Sequence, residues 1–151
     1  MRGREVMWGR QVMRLLMTLG IAALALLVPA AHADEKDDIA KAQRAAVAWL
    51  ALTDSGKYGE SWDTAAAVFK AGVTKADWEK ALKAIRAPLC ALRSRTLKSA
   101  TFTRKLPDAP PGEYVILQFD TQFENKSGIV ETVTPMRDKD GSWRVSGYFL
   151  K

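Results

Sequence analysis

The spacing of hydrophobic residues changes once along the chain. Between about residues 39 and 86, apolar side chains recur every three or four positions, whereas from about residue 96 they alternate with polar side chains. The first spacing is that of one face of a helix, and the second is that of a strand with one buried face. The sequence therefore predicts an α+β fold, with helices first and strands afterwards.

Three helices are predicted in the first part. The first begins with acidic residues, ends near the Asp54 to Gly56 turn, and buries Ile39, Ala42, Ala46, Trp49 and Leu50. The second runs from Tyr58 to Gly72. Each predicted helix contains one tryptophan with the spacing of a core residue: Trp49, Trp62 and Trp78.

The third predicted helix begins at Thr74 and ends before Pro88. Thr74 with Asp77 three residues later resembles a capping box, in which the hydroxyl accepts a hydrogen bond from a free backbone N–H. Its buried stripe is predicted as Trp78, Leu82 and Ile85.

Four strands follow, at about residues 96–106, 114–123, 129–136 and 143–150. The segments between them are short and rich in turn-forming residues, which favours antiparallel hairpins. We therefore predict three N-terminal helices packed on one face of a four-stranded antiparallel meander sheet.

Strand alternation assigns the side chains to two faces. The face toward the helices is predicted to carry Val115, Leu117, Phe119, Phe123, Trp143, Val145 and Phe149. The outer face would then carry Ile116, Gln118, Asp120, Arg144, Tyr148 and Leu150. This mixture of apolar and hydrogen-bonding groups suits a ligand surface or a symmetric homodimer. The candidate binding residues are Gln118, Asp120, Glu131, Arg144 and Tyr148.

Residues 1–33 have the features of a secretory signal peptide. Four arginines precede the apolar run Leu15 to Val28, and Pro29 with Ala31 and Ala33 forms a small-residue cleavage site. Cleavage before Asp34 leaves one domain, residues 34–151, and predicts a periplasmic or secreted protein. The alternative is an uncleaved membrane anchor, because Leu15 to Ala33 contains no charged residue.

Charge adds one asymmetry. Removal of the leader lowers the formal net charge from +6 to +3, which argues against a nucleic-acid partner. The stretch 80–107 nevertheless contains eight basic residues and no acidic one. It could bind anionic lipid head groups or an acidic polysaccharide, with Arg93, Arg95 and Lys98 as candidates and membrane contact at most peripheral. The alternative is an ordinary solvated helix face.

Catalytic chemistry finds little support in the residue types. The only histidine, His32, lies in the leader, and Cys90 is the only cysteine. We therefore predict no catalytic histidine, no cofactor and no metal site built from nitrogen and sulfur ligands. Cys90 lies in an apolar run and is predicted to be buried, the alternative being an intermolecular disulfide. Asp120 and Glu131, predicted to be neighbours across a hairpin, remain as possible acid–base groups.

Several segments together resemble the domain-of-unknown-function family 4019. They are Trp49-Leu50-Ala51-Leu52, Asp54, Gly56, Tyr58, Ser61-Trp62, Arg86-Ala87-Pro88-Leu89, residues 130–136 and residues 141–148. The resemblance implies an exported, compact domain and carries no activity or catalytic residue with it. It also implies glycine where this chain has Cys90. The element order is similar to the nuclear transport factor 2-like and cystatin-like folds, in which a curved sheet wraps a helix.

The sequence thus predicts an exported, non-enzymatic binding or interaction domain for an unknown small ligand or envelope protein. One alternative is an enzyme with a cone-shaped pocket that uses Asp120 or Glu131 as a base. Another is an adaptor to anionic envelope surfaces through the stretch 80–107.

Overall fold

The computed structural model describes residues 30–151, with side chains from residue 34 onward. The predicted leader therefore lies, apart from its last four residues, outside the described part. Four α-helices come first: α1 Ala30–Asp54, α2 Tyr58–Asp63, α3 Ala67–Gly72 and α4 Lys75–Arg86, followed by a 3₁₀ turn at Ala87–Leu89. Four strands follow: β1 Leu92–Thr103, β2 Tyr114–Phe123, β3 Ile129–Arg137 and β4 Trp143–Leu150. Among the described residues, no helix is both long and apolar enough to cross a bilayer.

The strands form one antiparallel sheet in the order β1-β2-β3-β4, which confirms the predicted meander and the α+β class. The helices pack on one face of this sheet. The main core lies between them and contains Trp49 and Leu50 of α1 with Leu117, Val133 and Val145 of the sheet. A smaller cluster of Leu89, Phe123 and Ile129 lies beside it.

The second predicted helix is interrupted. Residues 64–66 separate α2 from α3, because the backbone N–H of Ala66 donates to the carbonyl of Val145 at 2.8 Å and Ala66 adopts an extended conformation. Ala65 and Ala66 are both fully buried there. A hydrogen bond to β4 has replaced a helical one, and the spacing of hydrophobic residues does not reveal that exchange.

In α4 the predicted cap is confirmed, but one buried residue is wrong. The Thr74 hydroxyl accepts a hydrogen bond from the backbone N–H of Asp77 at 3.2 Å. Leu82 is buried and Trp78 is partly buried, whereas Ile85 is 51% exposed. The third buried position is Arg86, four residues after Leu82, so the stripe runs with a strict four-residue spacing.

A β-bulge reverses the predicted faces at the end of β4. Thr134 pairs with Gly147 while Pro135 pairs with Val145, so Ser146 is an extra residue with no partner opposite. Alternation restarts after such an insertion. Tyr148 and Leu150 therefore point toward the helices, and Phe149 points to the outer face, where it is 61% exposed. The prediction for these three residues was wrong, whereas the remaining face assignments are confirmed.

Cys90 is exposed rather than buried. Its backbone has a positive φ of 59° with ψ −146°, just after the 3₁₀ turn. Glycine adopts this conformation readily, and residues with a Cβ rarely do. In this conformation the Cys90 side chain points to solvent, although its neighbours in sequence are apolar.

Candidate functional site

The most unusual chemistry in the described structure is a group of buried and partly buried polar residues, four of them charged, between the helices and the sheet. We call Asp54, Arg86, Arg95, Glu131 and Tyr148 the charge cluster. It lies beside the smaller hydrophobic cluster, and the Arg86 guanidinium lies over the Phe123 ring at 4.5 Å. Charged groups at such depth are retained only when they are paired with each other.

Five different elements supply the charge cluster. Asp54 is the last residue of α1, and Arg86 is the last residue of α4. Arg95 lies in β1, shortly after a bulge at Arg93. Glu131 comes from the inner face of β3, opposite Phe119, and Tyr148 from the inner face of β4.

Arg95 is held on two sides by carboxylates. It donates to both oxygens of Asp54, at 2.6 and 3.0 Å, and to both oxygens of Glu131, at 3.0 and 3.1 Å. This bidentate geometry is the strongest that a guanidinium and a carboxylate form. Arg86 donates to Asp54 at 2.6 Å and to the Tyr148 hydroxyl at 3.3 Å. Two positive and two negative groups therefore balance within one hydrogen-bonded network.

The environment shifts the pKa values of the cluster in different directions. Burial works against ionisation of Asp54, but hydrogen bonds from Arg95 and Arg86 outweigh it and hold its pKa below the usual value. Burial raises the pKa of Glu131, although Arg95 and Arg86 oppose that shift. Burial and the nearby Glu131 carboxylate raise the pKa of Tyr148 well above its ordinary value. The cluster thus contains one strongly ionised carboxylate and one that burial makes harder to ionise.

The two candidate acid–base residues do not meet. Glu131 pairs with Phe119 and is completely buried, whereas Asp120 pairs with Val130 and lies on the outer face. Cross-strand neighbours on opposite faces cannot act on one substrate atom. The predicted proximity was wrong because a one-residue difference in register moves a side chain to the other face.

The three candidates for anionic surfaces are all ion-paired. Arg93 contacts Glu124 at 2.7 Å, Lys98 contacts Asp120 at 3.3 Å, and Arg95 belongs to the charge cluster. Carboxylates from other parts of the chain therefore compensate the charges of these three residues, although the stretch 80–107 itself contains no acidic residue.

The outer face of the sheet carries the other predicted residues. One row across it consists of Ser99, Gln118, Thr132 and Phe149. A second row consists of Thr103, Tyr114, Met136 and Arg144. Gln118 accepts a hydrogen bond from the Ser99 hydroxyl at 3.3 Å, and Arg144 pairs with Asp140 at 2.7 Å and Asp138 at 3.3 Å. No described helix covers this face.

Tyr148 lies elsewhere than the other outer-face candidates. Its ring packs edge-on against Trp49, with the ring centres 5.2 Å apart, and its hydroxyl accepts from Arg86. It is a core residue of the charge cluster, so it cannot be the exposed anchor of an interface.

Sequence reasoning missed Asp54 and Arg86 as members of a site. A signal for Arg86 existed, because it continues the Trp78 and Leu82 stripe at the same spacing of four. The sequence indicates Asp54 as part of a helix-ending turn and of the family resemblance, and neither gives it a role in a site. A shallow cleft of about 310 Å³ lies apart from the cluster, between α1 and the β3–β4 turn, and is lined by Lys41, Arg44, Ala45, Gly141, Ser142 and Trp143.

Comparison with known protein families gives a match. A family described as "Protein of unknown function (DUF4019)" matches residues 45–148, a span that contains the whole charge cluster and most of the sheet. No curated protein and no solved structure matches the chain.

Proposed function

The chain belongs to the DUF4019 family, and from that premise we propose that it is an exported, non-enzymatic interaction domain that binds its partner through the outer face of the sheet. The observation that carries the proposal is the contrast between the two faces. The inner face is covered by helices and filled by the core and the charge cluster. The outer face has no described helix on it and exposes a phenylalanine, Phe149.

The composition of the outer face suits protein binding. Its partly buried apolar residues, Ile116, Val130 and Met136, lie among threonine, serine and glutamine side chains around Phe149. Interfaces typically combine an exposed aromatic anchor with hydrogen-bonding groups that tolerate both water and a partner.

The alternatives have weaker geometric support. Glu131 is completely buried and both of its oxygens accept hydrogen bonds from Arg95, so a substrate has no open approach to this carboxylate. Asp120 has the opposite problem, because its side chain is exposed to water and paired with Lys98. The adaptor alternative relies on three basic residues that already have carboxylate partners.

Site-specific photo-crosslinking in cells tests the proposal. A photoreactive amino acid is placed at Phe149 or Gln118, and matched controls carry it at Ile85 or Val47, which are exposed apolar positions on the helical side. We expect one defined covalent adduct from the outer-face positions and none from the controls. Equal labelling from both sides, or none from the outer face, would contradict the proposal.

Export is tested in the same cells by the intact mass of the purified protein. A mature N-terminus within a few residues of Asp34 supports export. A chain that retains residues 1–33 in the membrane contradicts it.

A further inference from the structure

Resting on the proposed function, we propose that the partner at the outer face is a second copy of this chain, which inserts Phe149 into the notch left by Gly147 of the first copy. These two residues follow the bulge at Ser146 and lie on the same face of β4, two positions apart along the strand. One is a protruding aromatic ring, and the other has no side chain.

The position of Gly147 can hold a side chain, although Thr134 lies beside it. A Cβ placed on Gly147 would meet only the Thr134 side chain, at 3.7 Å, which is an ordinary contact distance. Its φ is not positive, so the backbone itself does not require glycine. The strand would accept a side chain here, and its absence leaves a gap beside the exposed ring of Phe149.

A knob and a notch on one strand fit a twofold contact. In a symmetric dimer, residue i of one copy contacts residue j of the other, and j contacts i in return. With an axis that crosses the face between positions 147 and 149, each Phe149 reaches the other copy's Gly147. A single strand segment therefore provides both halves of the interaction. This self-complementarity favours a second copy over a different protein, because a different protein could bind Phe149 without using Gly147.

The charges on the face permit such self-association. Asp120 is paired with Lys98, and Arg144 with Asp138 and Asp140, within one copy. Two copies facing each other therefore bring together largely compensated charges and uncharged threonine, serine and glutamine side chains. A face with a strong charge of one sign would repel itself.

The area lies near the lower limit for a specific interface. Four strands about 4.8 Å apart, with roughly nine residues each at about 3.3 Å per residue, give a face of about 570 Å². Two whole faces would bury about 1,100 Å², against the roughly 1,000 Å² expected of a specific interface. The β1–β2 loop already covers Tyr114, which is 1% exposed and donates to the carbonyl of Pro110, so the contact is confined to the rest of the face.

The mass of the purified protein in solution tests this inference. The full chain is expressed, and the product that the cell delivers is measured by light scattering and sedimentation equilibrium between about 1 and 200 µM. We expect a dimer that Phe149→Asp converts to a folded monomer with unchanged circular dichroism. Val47→Asp, an equally drastic change on the helical side, should leave the dimer intact.

A second variant tests the notch itself. Gly147→Val adds a side chain that suits a strand and introduces no charge. We expect it to weaken the dimer, because the valine occupies the position of the partner's ring. A dimer equally tight with Gly147→Val, or a wild-type protein that is monomeric at 200 µM, would overturn the inference.

The crosslinking experiment separates this inference from the proposed function. An adduct with the mass of two copies supports both. An adduct with the mass of a different protein supports the interaction domain and overturns the homodimer. Absence of any adduct from the outer face overturns both.

Discussion

At the scale of single residues, Cys90 shows how a local backbone conformation overrides sequence context. Its apolar neighbours predicted burial, yet the positive φ after the 3₁₀ turn exposes it. The family resemblance, which implies glycine at this position, agrees with that geometry. Cys90 thus occupies a backbone position suited to glycine, and a Cβ there is strained.

Replacement of Cys90 by glycine should therefore stabilise the protein. The relieved strain exceeds the extra flexibility that glycine gives the unfolded chain, so we expect a gain of about 1 kcal/mol in the free energy of unfolding. Urea denaturation measures it. Cys90→Ala is the matched control, because it removes the sulfur and keeps the Cβ. An equal gain from alanine would place the cost in the sulfur rather than in the backbone.

At the scale of elements, α4 shows what periodicity can and cannot predict. The sequence predicted the helix, its cap and the burial of Leu82. It chose Ile85 over Arg86 for the next buried position because isoleucine is hydrophobic and arginine is charged. Burial of Arg86 depends on carboxylates in α1 and β3. These lie far from Arg86 in the sequence, so the pattern within α4 does not predict them.

Two substitutions in α4 distinguish the alternatives. Leu82→Ala removes a fully buried side chain and should lower the free energy of unfolding by about 2 to 5 kcal/mol. Ile85→Ala changes a side chain that is largely in water, so its effect should be within about 0.5 kcal/mol. Both are measured by urea denaturation of variants that share the same helix. A larger loss from Ile85→Ala would mean that this face of α4 is covered.

In the sheet, too, the local pattern predicts the faces of the strands only until a contact with another strand interrupts it. Alternation predicted both faces of β2 correctly, and it predicted β4 as far as Val145. The extra residue at Ser146 then exchanged Tyr148 and Phe149 between the faces. Bulges depend on pairing with a neighbouring strand, so the sequence of β4 alone did not reveal it. Among the candidate binding residues, Tyr148 is the one that this bulge moves to the other face.

At the scale of the whole molecule, the charge cluster joins the C-terminal ends of α1 and α4 to three strands of the sheet. Removing one partner leaves a buried charge without compensation, which costs far more than the pair itself contributes. Surface pairs differ, because water screens them and they contribute little. The cluster is therefore expected to dominate the response of stability to charge-removing substitutions and to acid.

Asp54→Asn should lower the free energy of unfolding by about 3 to 5 kcal/mol at pH 7, since it leaves Arg86 and Arg95 short of a negative partner. Asp63→Asn, which removes the exposed pair with Lys75, is the control and should cost less than about 1 kcal/mol. Urea denaturation of both variants gives the comparison. Similar losses from the two substitutions would show that the cluster is well hydrated.

The difference between wild type and Asp54→Asn should also depend on pH. Because the folded protein lowers the pKa of Asp54, its carboxylate contributes stability above the unfolded pKa of about 4, and this contribution is lost as the pH falls through the folded pKa. The two unfolding free energies should therefore differ by a constant amount from neutral pH to about pH 5 and converge as the pH falls further, through the folded pKa. A difference that stays constant down to about pH 2 would contradict the shift.

The members of the charge cluster lie far apart along the chain. Arg95 bonds to Asp54 across 41 residues, and Arg86 bonds to Tyr148 across 62. Because these contacts need five elements in place, we expect most of them to form late in folding, after loop closure over such distances. Interactions absent from the transition state slow unfolding without speeding folding. On that expectation Asp54→Asn speeds unfolding in denaturant-jump kinetics and leaves the folding rate nearly unchanged, and the intact charge cluster lengthens the lifetime of each folded molecule.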